Sequence, residues 1–199
     1  MGGFDRMFCG CAAFVLSGVL TPLAVAEPAK PQTAPAPAAR QAQARAVVPL
    51  SLLHHVAQRE IALGLLAQVA ASRPETLRFA SDLETDFRVL DRHIIAIAEA
   101  LGIEDARLRQ AYAAGNAAAV DEQEEELRRL SMVVGAGFDR QFWVTVARDQ
   151  SAASALLASA SGTIPSLDPL IAETVRLLDR SIRRATAAQG GSSSPPPPR

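Results

Sequence analysis

One segment of the sequence carries an unbroken heptad pattern of apolar side chains, and this pattern restricts the fold more than any other feature. Its positions alternate in steps of three and four residues at Ala80, Leu83, Phe87, Leu90, Ile94, Ile97 and Leu101. This spacing places all of them on one face of an α-helix, which other helices must cover. Gly102 follows as a helix-stop residue. We therefore expect a long helix here, packed inside a helical protein.

Three other segments carry the same kind of apolar stripe. A first helix is predicted from about Leu50 to Ala71, a third long helix over Phe138–Ala160, and a last helix that starts at Asp168-Pro169. The three stripes run through Leu53, Val56, Leu63, Ala67 and Ala70, through Trp143, Val146, Gln150, Ala153 and Leu157, and through Ile171, Thr174, Leu178, Ser181 and Ala185.

The segment between the second and third long helices is predicted to be helical but interrupted. A short helix runs from Glu104 to about Ala114, Gly115-Asn116 breaks it, and helix resumes over Ala117–Val134. Four main helices with short connections predict an all-α fold, namely an antiparallel four-helix bundle with an extra short helix between the second and third long helices.

Two helix starts carry local capping signals. Ser72-Arg73-Pro74-Glu75 resembles a capping box with a proline in the first turn of the second helix. Asp139-Arg140, at the start of the third long helix, is predicted to be a cap with a local ion pair.

Composition and missing motifs exclude several classes of function. Hydrophobic residues make up 49% of the 199 residues and aromatic residues only 5%, a mix that favours helix over sheet. A formal net charge of −1 gives no basic face for nucleic acid. Cys9 and Cys11 precede the predicted helices, which therefore contain no disulfide, thiolate metal site or cysteine nucleophile. No Gly-x-Ser-x-Gly elbow or phosphate-binding Gly-rich loop occurs, so the sequence favours a protein that is not an enzyme.

The start of the chain has the layout of a cleavable signal peptide, over residues 1–26. Arg6 precedes an apolar run over Cys9–Val25, and Ala24-Val25-Ala26 gives the small-x-small pattern of a cleavage site. A membrane anchor is the alternative, but the run is shorter than the roughly 20 residues that span a bilayer, and Pro22 breaks its end. We therefore expect an exported protein, in the periplasm or associated with the outer membrane, with no transmembrane anchor in the mature chain.

The remaining domain boundaries follow from composition. Residues 27–47 are Pro/Ala-rich and are predicted to be a flexible spacer, residues 48–187 form the helical bundle, and residues 188–199 form a disordered Ser/Pro-rich tail. The Pro-rich ends are candidate contacts to the envelope or cell wall.

Three stretches of the sequence resemble one protein family. They are Gln58–Ala67, Gly135–Trp143 with its Gly-Ala-Gly-Phe-Asp-Arg start, and Ala147–Gln150. Over about Leu52–Ala185 the chain is similar to the domain of unknown function 4142 family, exported bacterial proteins that are often labelled "predicted outer membrane protein". The resemblance implies a ferritin-like helical fold.

The family pattern carries a histidine after an aspartate in the second and third long helices, and another histidine in the last. Here Phe87 follows Asp86, Gln150 follows Asp149, and Ser181 stands near the third place. The resemblance thus implies a polar, metal-linked centre in relatives that is degenerate in this chain. Glutamine is a poor substitute for imidazole as a ligand, and the Glu-x-x-His motif of ferritin-like di-metal sites does not occur in the sequence.

Glu60 interrupts the apolar stripe of the first helix. Because an unpaired buried carboxylate is unfavourable, we expect Glu60 to pair with an arginine or to hydrogen-bond Gln150 across the bundle. The alternative is a carboxylate-only site for a divalent metal, formed by Glu60, Asp86 and Asp149. Two hypotheses follow: a non-enzymatic envelope protein that has lost its metal centre and has a structural, binding or stress-related role, and a metal-binding or redox protein that uses these carboxylates.

The histidines and an acidic run are assigned to ordinary structural roles. His54 and His55 are expected to form a solvated pair near the start of the first helix, and His93 to lie at the edge of the core. The acidic run Asp121–Glu126 resembles a metal or acidic docking site, but helical i, i+4 pairing predicts a solvated face. The predicted pairs are Glu124 with Arg128 and Glu125 with Arg129.

Overall fold

The computed structural model describes residues 37–191, and 91% of them are helical, with no strand in that range. The helices are α1 (Pro37–Ala70), α2 (Pro74–Ala100), α3 (Asp105–Ser131), α4 (Gly135–Ala160) and α5 (Asp168–Gly191), with a short 3-10 turn over Pro165–Leu167 before α5. The predicted signal peptide, the first part of the predicted spacer and the end of the predicted tail lie outside the described residues. Within them, no helix has the length and apolar character needed to cross a bilayer.

The first helix begins well before the predicted Leu50. Residues 37–47 are helical, so the flexible spacer predicted over 27–47 is wrong in this part. Alanine, glutamine and arginine are strong helix formers, so the segment is helical by propensity although it has no apolar stripe. Ala46 and Val47 are buried, and the Gln43 side-chain amide donates to the Gly102 carbonyl oxygen at 2.6 Å. The last helix likewise runs to Gly191, into the predicted tail.

The heptad stripe of α2 is confirmed as a buried seam. Ala80, Leu83, Phe87, Leu90 and Ile94 are almost completely buried, while Ile97 and Leu101 are half-buried near the helix end. Gly102 stops the helix with a φ of +70°, the left-handed conformation that favours glycine.

Helix α1 is the element on which the others are assembled. It packs along α2 most extensively and also contacts α3 and α4, while α4 pairs with α5. Gly64 lets α1 and α2 approach closely, because a Cβ at this position would lie 2.8 Å from the Ala80 carbonyl oxygen. Helix α3 packs chiefly against α1 and barely touches α2 and α4, and its buried side chains are Leu108, Tyr112 and Leu130.

The two helices predicted on either side of Gly115-Asn116 form one helix with a kink. Asn116 has a non-helical backbone conformation, with φ −139° and ψ 29°, and its side-chain amide donates to the Tyr112 carbonyl oxygen at 3.0 Å. The predicted break is therefore confirmed as a local bend inside α3.

The start of α2 is capped by a residue from α4. The predicted capping box does not form, since Arg73 is the N-cap residue and makes no side-chain cap bond. Instead, fully buried Asp139 accepts hydrogen bonds from the Ser72 hydroxyl at 2.6 Å and from the Ser72 backbone N–H at 3.3 Å. Burial alone would raise the pKa of Asp139, but the hydrogen bonds from Ser72, together with the Thr76 hydroxyl and the Arg73 backbone, outweigh it and lower the pKa below its usual value. The predicted local cap with an Asp139–Arg140 pair is thus wrong, because the carboxylate is used across the fold.

Candidate functional site

A cluster of polar side chains lies among the apolar stripes of α1, α3 and α4. We call it the central polar cluster; it consists of Arg59, Glu60, Glu126, Arg148, Asp149 and Gln150. Glu60 and Gln150 occupy stripe positions of α1 and α4, and both are fully buried. Arg59 and Asp149 lie beside them because each directly precedes one of them in the sequence.

Arg59 connects three helices through its guanidinium. On the α4 side its Nη2 lies 2.8 Å from Asp149 Oδ2, and on the α3 side the same nitrogen lies 3.1 Å from Glu126 Oε2. Its Nη1 donates to the Gln123 backbone carbonyl at 2.6 Å. With only 7% of its surface exposed, Arg59 is held by three acceptors that leave its charge compensated.

Arg148 completes the charge balance of the cluster. Its Nη2 donates to Asp149 Oδ1 at 2.7 Å and to Glu126 Oε1. Hydrogen bonds to Glu126 and then to Asp149 are the largest causes that raise the pKa of Arg148 above its ordinary value. Two guanidinium groups therefore alternate with two carboxylates, so neither acid remains free to bind a cation.

Glu60 is the one acid of the cluster without an arginine contact. Its side chain is 1% exposed, and the Gln150 side-chain amide donates to its Oε2 at 2.7 Å, which confirms the predicted hydrogen bond across the helices. Burial raises the pKa of Glu60 to about 8, although the Gln150 hydrogen bond acts in the opposite direction. Glu60 is therefore mostly protonated at neutral pH. Gln150 Oε1 is buried and has no hydrogen-bond partner among the described residues.

The three carboxylates of the predicted metal site do not converge. Glu60 and Asp149 line one small cavity, but Asp86 is exposed on α2, where its Oδ2 lies 3.8 Å from Arg180 Nη1. Across residues 37–191, no group of three or more His, Cys, Asp or Glu side chains is placed to hold a metal ion. A site that needs Asp86 is thus not formed, because Asp86 lies beside the inward seam position and faces away from α1.

The three degenerate family positions are all at least partly inside the fold. Phe87 is 1% exposed within the apolar core, Gln150 is fully buried, and Ser181 is half-buried on α5. Phe87 contributes an apolar ring and Gln150 a neutral amide, so neither supplies the imidazole that the family pattern has there.

The predictions for all three histidines are wrong. His54 is buried, with Nδ1 2.7 Å from Asp91 Oδ1, because its carboxylate partner lies on the neighbouring helix α2. His93 is exposed and does not border the core. His55 is half-buried and stacks on the Tyr112 ring at 3.7 Å between centroids, so it is not a solvated residue either. Burial is the main cause that lowers the pKa of His55.

The acidic run of α3 divides between surface and interior. Glu125 pairs with Arg129 as predicted and also with Arg128, while Glu126 turns inward to the central polar cluster. The predicted pairing of Glu124 with Arg128 does not form, since Arg128 bonds Glu125 instead. The sequence analysis did not predict that Glu126 points inward. The signal was Arg59, which stands next to Glu60 in the apolar stripe and needs an acidic partner if it is buried.

Two neighbouring spaces border the Arg59 side of the cluster. An inner cavity of about 80 Å³ touches Glu60, Arg59 and Asp149, and an outer pocket of about 340 Å³ lies between α1 and α3. His55 and Tyr112 border both spaces. The inner cavity has room for only a few water-sized molecules. The arrangement therefore offers ion pairing and hydrogen bonding, and no nucleophile activated by a base.

The comparisons with known proteins give one match. The model of a family described as "Domain of unknown function (DUF4142)" matches residues 28–187, most of the chain. No curated protein and no solved structure matches the chain.

Proposed function

The chain belongs to the domain of unknown function 4142 family, and from this membership and the central polar cluster we propose that it is an exported, non-enzymatic envelope protein. Its helical domain has lost the metal centre of a ferritin-like bundle and has a structural, binding or stress-related role. In this proposal α1, α2, α4 and α5 form an antiparallel four-helix bundle, and α3 is an addition on the outside of α1.

The observation that carries the proposal is the engagement of every acid in the cluster. Asp149 and Glu126 are bound by Arg59 and Arg148, and Glu60 is bound by Gln150. A divalent cation would have to displace two arginines from carboxylates that are largely buried, and this displacement would leave the buried charge of Arg59 uncompensated. The cluster supports a role in fixing the relative positions of three helices.

The alternative of a metal-binding or redox protein predicts the opposite metal content for the purified protein. It needs Glu60, Asp86 and Asp149 around one ion, but Asp86 is exposed and paired with Arg180. No contact of the described residues favours this alternative. Stoichiometric bound metal would support it and contradict the proposal.

Elemental analysis tests the two hypotheses directly. The protein is purified without chelator, and its iron, manganese and zinc contents are measured per chain for the wild type, Glu60→Gln and the matched variant Asp86→Asn. We expect metal far below stoichiometric amounts in all three, and thermal unfolding that does not change when EDTA is added. Stoichiometric metal in the wild type that falls in both variants would establish the alternative.

The export part of the proposal has its own test. The protein is expressed in a Gram-negative host, and the N-terminal sequence of the accumulated product is determined from separated cell fractions. We expect a chain that begins at Glu27 in the periplasmic or outer-membrane fraction. A cytoplasmic product that retains residues 1–26 would contradict it.

A further inference from the structure

Outside the central polar cluster, His54 forms a second buried polar contact that joins three helices. Its ring on α1 is 3% exposed, with Nδ1 2.7 Å from Asp91 Oδ1 on α2 and Nε2 3.2 Å from Asp105 Oδ1 on α3. Gln58 donates to the other oxygen of Asp91 at 2.7 Å, and Arg109 binds the other oxygen of Asp105. Both carboxylates are therefore held by neighbours of their own while they face the imidazole.

Two carboxylates around one imidazole favour a single protonation state. An ionised carboxylate only accepts hydrogen bonds, and a neutral imidazole carries one N–H, so only the imidazolium presents a proton to both acids. In the neutral ring, one nitrogen directs a lone pair at a carboxylate oxygen. Nε2 of His54 and Oδ1 of Asp105 are buried and have no hydrogen-bond partner in the described part of the chain. Solvent therefore does not relieve that unfavourable contact.

We propose that His54 is a pH-sensitive latch whose positive charge holds the first turn of α3 against α1 and α2 and whose deprotonation releases that turn. Asp91 keeps the remaining ring proton, because its contact is shorter and its side chain is less exposed than that of Asp105. Deprotonation therefore removes the proton between His54 Nε2 and Asp105 Oδ1 and weakens that contact, in the first turn of α3.

Helix α3 is the element best suited to move. It packs chiefly on α1 and barely on α2 and α4, and the bend at Asn116 separates its first half from its second. The outer pocket of about 340 Å³ lies between α1 and both halves of α3, and His54, Arg109 and Tyr112 are among its lining residues. Release of the first turn widens the entrance to this pocket, so the latch controls access to the space between α1 and α3.

Other charged and titratable groups lie near His54. Asp91 faces it from α2, Asp105 and Arg109 face it from α3, and His55 lies next to it on α1. Burial is the main cause that lowers the pKa of His55, whose ring stacks on Tyr112 and faces no carboxylate pair of this kind among the described residues. His54 is the histidine that joins carboxylates of α2 and α3.

Hydrogen–deuterium exchange of the purified protein tests the latch. Amide protection over residues 105–112 is measured at about pH 5.5 and about pH 9, well to either side of the ordinary histidine pKa, and corrected for intrinsic exchange rates. We expect protection to fall about tenfold at the higher pH, the effect of losing one charge-assisted contact. Protection over α4 should stay constant. Equal protection of residues 105–112 at both pH values would overturn the proposal.

Variants separate the latch from general loosening. His54→Gln should exchange rapidly at both pH values. Asp105→Asn should stay protected at both, because its amide can accept from the imidazolium or donate to the neutral ring. His93→Gln, which changes an exposed histidine, should keep the wild-type fall. A pH-dependent fall that persists in His54→Gln or Asp105→Asn, or that disappears in His93→Gln, would overturn the proposal.

Discussion

Replacing Glu60 by glutamine should stabilise the protein, and increasingly so as the pH rises. Glutamine has the shape and hydrogen-bonding pattern of the protonated acid, so the contact with Gln150 is preserved. The folded state holds Glu60 with a pKa of about 8, against 4.5 for the free side chain. Below pH 4.5 Glu60 is protonated in both the folded and the unfolded protein, so it does not lower the free energy of unfolding. Between the two values the unfolded chain releases a proton that the folded chain retains, so the stability of the wild type falls as pH rises.

The size of the effect follows from the pKa difference. One pKa unit corresponds to about 1.4 kcal/mol, so the full shift is an upper limit of about 5 kcal/mol above the folded-state pKa, and about 3 kcal/mol at neutral pH. Urea unfolding of the wild type and Glu60→Gln is measured at about pH 4, 7 and 8.5, values that bracket this window. The difference in unfolding free energy should be small at the lowest pH and largest at the highest.

Glu84→Gln provides the matched control. Hydrogen bonds from Gln68 and then Arg88 lower the pKa of Glu84, so this acid stabilises the folded state when it is ionised. Its replacement should therefore not produce a gain in stability that grows with pH. A Glu60→Gln difference that is the same at every pH, or that shrinks as the pH rises, would refute the assignment of Glu60 as a neutral buried acid.

Three further changes probe the packing and the caps by urea unfolding. Asp139→Ala should cost about 2 kcal/mol, since it removes a cap and charge-assisted hydrogen bonds; because the pKa of Asp139 is lowered, the cost should diminish as the pH falls below about 4. Gly64→Ala should cost about 1–3 kcal/mol by forcing α1 away from a backbone carbonyl of α2, whereas Gly115→Ala, with open space around it, should not destabilise the protein. Arg59→Met should cost about 3 kcal/mol because it leaves Asp149 and Glu126 short of a buried partner, while the surface change Arg88→Met should cost less than about 1 kcal/mol; equal costs for these two arginines would contradict the ion-pair assignment.

The stripes predicted which residues are inside, but not what they touch. Phe87 and Gln150 could be placed in the interior from spacing alone, since a helix repeats its faces at a fixed period. The partner of Glu60 was also predictable, because a buried acid requires one. The break at Gly115-Asn116 followed from residues that disfavour helix at that point.

The failures have three physical causes, of which contact across large distances in the sequence is the first. His54 was expected in solvent because its position next to His55 is a local feature, whereas its burial depends on Asp91 and Asp105 on two other helices. The extension of α1 to Pro37 depends on strong helix propensity without an apolar stripe, which periodicity does not detect. Asp86 was grouped with Glu60 because both stand near seam positions, although one residue of offset turns a side chain by about 100° around a helix.

The cap supplied by Asp139 makes the beginning of one helix dependent on the arrival of another. The carboxylate lies 67 positions beyond Ser72 in the chain, so the Ser72 hydroxyl and backbone N–H, just before α2, have this acceptor only when α4 is docked. We therefore expect fraying at the entry to α2 to be coupled to separation of α4. The Gly-Ala-Gly-Phe-Asp-Arg segment, one of the stretches that resemble the family, thus joins two distant parts of the chain through Asp139.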